Sequence, residues 1–566
     1  MSLPDATNAS TLFAALNAAL SGPFKHRAPL RRWACAGLLG VVPAFLVAAP
    51  ANTAMPGAAA APVATPGKST APSVGVDWQS AASDADIERA MALARAARKP
   101  MLLYWGASWC PPCNQLKATL FNRQDFISRA QGFVAVHIDG DGAGAQKLGA
   151  RFKVRGYPTL VLMSTDGQEI TRLPGEADAP QVMAVLQAGL AGGRAVKAVL
   201  EDARAGKALT PAEWRMLAYY GWDVDEAQLV GAADRANLLA ELSRRSLPSE
   251  SQAGTRLLLK AVAESDDGKG LKPDAALRQR VLKLLADAKA SRQQMDVLVN
   301  QADALARALA PEAGADRQAV AAGLTSALVR LQADASLSRA DRLSALQAQI
   351  ELARIDQPKT KLVPEIDPAL QRQAQALAKR MDQEITDGYE RQAVITAAAY
   401  LLGRAGLWAD SDALLKAGLA KSHSAYYLMS QLGGNARKQG RTAEALDWYE
   451  QAFARSVGPA TRLQWGASYV TAVLELSPQD TPRIERAVTQ VLAEAGKDPA
   501  AFHERSARSL QRVSSRLAAW NPMGEHDALI QRWQASLQPA CARLDAADGQ
   551  RASCEKLLNP AMRGKL

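Results

Sequence analysis

Two hydrophobic rhythms divide this chain. Between Val76 and Gly193 short apolar runs alternate with stretches of helical spacing, whereas from about Ala195 onward only the helical spacing persists, with short breaks and no strand. In the first stretch Ser83-Asp84-Ala85-Asp86 offers a capping box to a helix reaching Arg98, and Lys99-Pro100 stops it. The apolar run 101–105 predicts a strand leading into Trp109-Cys110-Pro111-Pro112-Cys113, after which 114–121 continues as a helix. A second strand is predicted at 133–138 and a helix at 143–152. Residues 159–163 and 169–173 read as a hairpin around Asp166-Gly167, because Asp-Gly supplies the positive φ angles that a two-residue turn needs. A last helix covers Ala179–Leu190. Strands alternating with helices predict a compact α/β domain over 76–193.

The helical remainder carries a repeat. Gly406, Leu415 and Gly418 recur 34 residues later as Gly440, Tyr449 and Ala452, and Ser411 recurs as Ala445. That displacement is the period of tetratricopeptide helix hairpins, in which small residues let two helices approach and larger ones fill the groove between them. Leu432-Gly433 fits the same pattern, and the next displacement, at 474–478, does not. Tetratricopeptide-like hairpins are therefore expected around 390–456, within an all-α region at 194–566 that stacks as a solenoid and offers a concave face to a protein or peptide. Trp408, Trp448, Trp465 and Tyr449 are expected to pack between hairpins. The array is expected to position partners and take no part in the chemistry of the first domain.

At 566 residues the chain exceeds one ordinary core, and an apolar fraction of 48% excludes a mainly disordered protein. The net charge of +11 is spread as Lys and Arg among Asp and Glu on helical faces, which points to a solvated basic surface and away from nucleic acid. Residues 33–49 form an apolar stretch preceded by Lys25, Arg27, Arg31 and Arg32 and followed by Ala49-Pro50-Ala51. Residues 1–50 thus read as a cleaved export signal or an uncleaved membrane anchor. Either places the rest of the protein in the periplasm or another exported compartment, where paired cysteines persist. Residues 51–75, rich in Ala, Pro and Gly, form a linker with too little apolar surface to fold.

Five cysteines are present. Cys35 falls in the signal or anchor, and Cys541 with Cys554 is expected to form a structural disulfide across the turn at 545–551. Cys110 and Cys113 carry the candidate chemistry. A Cys-x-x-Cys pair at a helix start puts both sulfurs on one side of the first turn, where free N–H groups and the helix dipole favour an anion at the leading cysteine. Cys110 is thus the expected attacking thiolate and Cys113 the resolving one. Zinc would need two further ligands. No second pair is placed to supply them, and His137 reads as an ordinary strand residue, so neither a metal nor a bound cofactor is expected.

The motif Trp109-Cys110-Pro111-Pro112-Cys113 after a strand, with Gly156-Tyr157-Pro158-Thr159 before another, resembles the thioredoxin superfamily. The run 99–121 is also similar to the C-terminal domain of DsbD-type transmembrane reductases. This resemblance, limited to roughly 76–193, implies an α/β thioredoxin fold, a central mixed sheet flanked by helices, ahead of the helical-repeat region. It implies a cis Pro158 facing the cysteines, Trp109 flanking the nucleophile, and Gly156, Tyr157 and Pro158 holding an extended substrate strand. The implied partners are protein thiols and disulfides and an upstream redox partner such as a membrane thiol reductase. One departure stands out. The family usually buries an Asp six residues before the first cysteine to help move the resolving cysteine's proton, and Tyr104 occupies that position here. The Lys that often accompanies it corresponds to Ala135. Glu88, Asp139, His137 or water are the available substitutes.

These readings converge on an exported thiol–disulfide oxidoreductase. Oxidases of this fold place His where Pro112 stands, and Pro111 removes one N–H from the turn, so the pair is expected to act as a reductant. The alternative is a non-catalytic binding or chaperone-like scaffold.

Overall fold

The computed structural model describes residues 75–558, apart from 175–178, 191–192, 226, 267, 269 and 548. The expected signal or anchor at 1–50, all but the end of the linker at 51–75, and Cys35 lie outside the described residues. Within them no helix is long and apolar enough to cross a membrane.

The elements of the first region follow their local sequence. Strand β1 is Gln79–Ser80; helix α1, Asp84–Ala97, starts at a capping box in which the Ser83 side chain and Asp86 satisfy each other's backbone N–H groups. Strand β2, Met101–Gly106, is buried at every position, which marks a central strand covered on both faces. Helix α2, Pro111–Leu116, runs into a π-helical turn, Lys117–Phe121, and is followed by α3, Gln124–Ala130. Strand β3 is Val134–Asp139, α4 is Ala145–Arg151, β4 is Thr159–Met163, β5 is Glu169–Pro174 and α5 is Ala179–Leu190. The five strands lie in the order β1-β3-β2-β4-β5. β3 is parallel to β1 and β2, while β4 is antiparallel to both β2 and β5. Alternate residues of β2 serve two cores: Leu102 and Tyr104 pack with Leu120, Phe126 and Leu186, and Met101, Leu103 and Trp105 with Ile87, Ala94 and Leu148. This is the mixed, helix-flanked sheet of the thioredoxin fold, and a long all-α region follows it.

Three local features differ from the sequence expectation. β1 is too short to show any alternation. The π-helical turn interrupts the predicted helix after Leu116. The hairpin is not closed by two residues of positive φ: Gly167 alone has φ +86°, its N–H donates to Ser164 O, and a bulge at Leu162/Met163 absorbs the extra length.

Helix hairpins make up the second region, and the 34-residue repeat has a backbone meaning. Gly406 closes Gly388–Arg404 before Trp408–Gly418, Gly440 closes Ala425–Lys438 before Thr442–Arg455, and both glycines have positive φ, +81° and +72°. At Gly433 a Cβ would lie 3.1 Å from the Tyr449 ring, so the glycine admits the tyrosine that fills the groove. Trp408 packs on Gly403 and donates its indole N–H to Leu362 O. The core of the sheet continues without a gap into the following helices, where Leu102, Leu160 and Leu173 share a cluster with Val199, Trp214 and Leu257.

Candidate active site

Strand β2 delivers the loop Ala107-Ser108-Trp109 to the start of α2, and Cys110 is the N-cap residue. Pro111 and Pro112 occupy the first helical positions and carry no N–H, so the Cys113 N–H is the first donor of the turn. It donates to Cys110 Sγ at 3.3 Å. Cys110 and Cys113 are joined as a disulfide. Asn114, which the sequence reading passed over, is fully buried and staples the loop: its Nδ2 donates to Ser108 O at 2.7 Å and to Cys110 O at 2.8 Å.

The Tyr157–Pro158 peptide is cis, and Pro158 is buried ahead of β4. Tyr157 lies beside it, its hydroxyl accepting from Gln146 Nε2 at 2.9 Å, while Gly156 is exposed with open space around its Cα. Burial, first, holds the Tyr157 hydroxyl above its ordinary range.

Under the sheet end, Tyr104 is buried and stacks on His137 with ring centroids 5.0 Å apart. Its hydroxyl has no hydrogen-bond partner among the described residues. Burial, helped by the Lys117 charge, pushes His137 down to about 4, so its ring stays neutral at physiological pH. Glu88 is held in an exposed ion pair with Arg151 at 2.8 Å. Asp139 is raised above the ordinary carboxylate range, by burial first, and its charge acts on Lys117, one helical turn beyond Cys113. Of the candidate substitutes, Glu88 and Asp139 are exposed and His137 is half-buried.

The helical region does not stand apart from this centre. Trp109 donates its indole N–H to Asp141 Oδ2 at 2.8 Å and to Thr461 Oγ1 at 2.9 Å. Its ring stacks on Tyr427 at 5.9 Å and meets the Trp465 edge at 5.1 Å. Gln392 Nε2 donates to Trp109 O at 3.2 Å, and His423 Nε2 lies 2.9 Å from Ser108 O. Arg505 forms an ion pair with Asp141 and stands 5.1 Å over the Trp109 ring and 5.2 Å over that of Tyr157. Cys110 is left 2% exposed, Cys113 0% and Trp109 7%. The expected division of labour thus does not describe the packing: Trp465 meets Trp109 as well as its helical neighbours, and residues from four helices and the turn at His423 border the cysteine motif. No local signal marks Gln392, His423, Thr461 or Arg505; only the Asp-Gly-Asp-Gly loop at 139–142 hinted at Asp141.

Cys541, at the end of the helix Asp527–Ala542, is bonded to Cys554 of Gln550–Lys556. Gly549, at φ +78°, turns the chain between them.

Residues 87–190 match the thioredoxin-like domain family. The chain is similar to thiol:disulfide interchange protein DsbD 2 of Pseudomonas aeruginosa, 32% identical over 108 residues, or 18% of each chain. It is also similar to DsbD 1 of that organism, 28% identical over 134 residues, covering 23% of this chain and 21% of the relative. DsbD of Pseudomonas fluorescens is 31% identical over 101 residues, 17% of each. The chain therefore matches only about a fifth of the length of these relatives. What the comparisons show is a thioredoxin-like domain within a longer chain, carrying Cys110-Pro111-Pro112-Cys113 at the start of its α2.

Proposed function

We propose that this protein is an exported thiol–disulfide oxidoreductase that reduces disulfides in protein substrates. The observation that carries the reading is the pairing of Cys110, at a helix N-cap, with Cys113, whose N–H points at the Cys110 sulfur. The Cys110 thiolate attacks one sulfur of a substrate disulfide, forming a mixed disulfide and releasing the other substrate sulfur, which takes up a proton. The Cys113 thiolate then attacks Cys110 Sγ, releasing the second substrate thiol and leaving the Cys110–Cys113 disulfide. Two electrons pass to the substrate. An upstream dithiol, for which a membrane thiol reductase of the exported compartment is the fitting class, returns the pair to its reduced form. Trp109, Gly156, Tyr157 and Pro158 form the substrate-facing rim. Direction rests on Pro111 and Pro112, which put no His beside Cys110 and withhold two N–H groups from the turn, leaving the Cys113 N–H as the first donor to a thiolate there.

The test is capture. In the full chain Cys113→Ala, expressed in the native host, a defined set of proteins is expected as mixed disulfides on Cys110. Absence of any such adduct, with the thiol free and reduced, would sink the reading. It would favour the second reading, a binding or chaperone-like scaffold, for which the near-complete burial of Cys110 speaks.

We assign Cys541–Cys554 a structural role. In the chain-entropy model, closing a loop of this length stabilises by about 3 kcal/mol. Cys541→Ala with Cys554→Ala is expected to lower stability by about that amount while leaving disulfide reduction unchanged. An unchanged denaturation midpoint would refute the assignment.

A further inference from the structure

Resting on the assignment of Cys110 as the attacking thiol, we infer that the helical array is a closed cap over the dithiol, latched through Arg505, Asp141, Thr461 and Trp109, which must lift before a reaction partner reaches Cys110 Sγ. Thiol exchange needs a sulfur to approach a sulfur, and its rate depends on that access. With Cys110 at 2% and Cys113 at 0% exposure, almost none of either residue meets solvent in this arrangement.

The cover is assembled from parts of the chain hundreds of residues away. Tyr427 and Trp465 take the Trp109 ring, while Gln392 and His423 take the carbonyl oxygens of Trp109 and Ser108, just ahead of the nucleophile. Arg505 is the centre of the seam. Its guanidinium pairs with Asp141, lies over both Trp109 and Tyr157, and its backbone N–H donates to Gln146 Oε1 at 2.9 Å. It therefore holds the flank of the cysteine motif and the cis-proline loop at once. The contact is built closely: at Gly458, with φ +92°, a Cβ would stand 2.6 Å from Asp141 Cβ.

The seam is also polar enough to part. The seam is mixed: Trp109, Cys110 and Cys113 share an apolar cluster with Tyr427 and Trp465, which resists opening, while the hydrogen bonds and ion pair regain water when the cap lifts. Removing Arg505 leaves the buried Asp141 carboxylate without its counter-charge in the closed form, held only by the hydrogen bonds from Trp109 and Thr461, so it shifts the balance toward the open one.

The test uses the oxidised full-length protein and dithiothreitol, with alkylation after quenching read at the peptide that carries Cys110 and Cys113, so that reduction of Cys541–Cys554 is not counted. Two dithiothreitol thiols are oxidised to its cyclic disulfide as Cys110–Cys113 is reduced. Wild type is expected to be reduced at least about 100-fold more slowly than the same chain unfolded in urea under matched thiolate concentration, because only the open fraction reacts. Arg505→Ala and, separately, Thr461→Val are expected to raise the native rate by about tenfold or more with the cooperative melting transition retained. A wild-type rate within about threefold of the unfolded chain overturns the cap on its own, without any variant. An unchanged rate in both folded variants overturns the latch. A capped disulfide that opens as described but never passes electrons to a protein disulfide would instead overturn the proposed catalysis and leave the cap standing.

Discussion

Cys110→Ser is expected to lower the turnover of disulfide reduction by the full chain by at least about three orders of magnitude. A serine hydroxyl keeps the volume and the capping hydrogen bond of the N-cap position, so the fold is expected to survive. What is lost is the nucleophile, since a hydroxyl at this site has no base to ionise it and forms no mixed disulfide. Cys113→Ser is expected to behave differently: one substrate molecule is attacked and retained, so a covalent adduct accumulates while turnover stops. Turnover of a protein disulfide, read beside non-reducing electrophoresis, separates the two. Persistent turnover in Cys110→Ser, or adducts on Cys113 in place of Cys110, would reverse the assigned roles.

The largest effect on stability is expected far from the dithiol. Arg256 on Ser251–Ala263 and Asp296 on Met295–Leu309 form a bidentate pair at 2.7 and 2.5 Å, with side chains 1% and 5% exposed. Arg256 also donates to Ala218 O and lies 4.1 Å over the Tyr219 ring, tying a third helix, Pro211–Tyr219, to the other two. Asp296→Ala leaves the guanidinium buried without its counter-charge and is expected to cost about 3–5 kcal/mol in chemical denaturation. Replacing both residues by apolar ones of similar volume is expected to recover most of that loss. Burial alone would raise the Asp296 carboxyl, but the charge and hydrogen bonds of Arg256 outweigh it and hold the group below its ordinary value. A carboxyl depressed in the folded state contributes its stability above the unfolded pKa, near 4, and loses it as pH falls through the folded one. Acid should therefore destabilise the wild type more than the doubly apolar variant. Equal acid sensitivity of the two would contradict this account.

Local pattern and tertiary packing divide this protein in a physically clear way. The capping box at Ser83, the buried run of β2, the helix start at Cys110 and the glycines at 406 and 440 each depend on residues within a turn or two of one another. Their backbone preferences hold wherever the segment ends up, so the sequence by itself determined the element types, the order of the domains and the chemical class of the cysteine pair. A two-residue edge strand such as Gln79–Ser80 leaves no such trace, because its existence depends on β3 being beside it.

What only the tertiary structure decided is the surrounding of that chemistry. An apolar or aromatic position shows that a side chain seeks burial but not against what. Trp465 at helical spacing reads as packing between hairpins, and it also meets Trp109. Trp109 and Thr461 are 352 positions apart, and Gln392 and Trp109 283 apart, so no periodicity links them. Whether Cys110 meets solvent or lies beneath a cover is set by which distant helices bring Gln392, Tyr427, Thr461, Trp465 and Arg505 against the loop, and helix packing of that kind is not written in any one stretch of sequence.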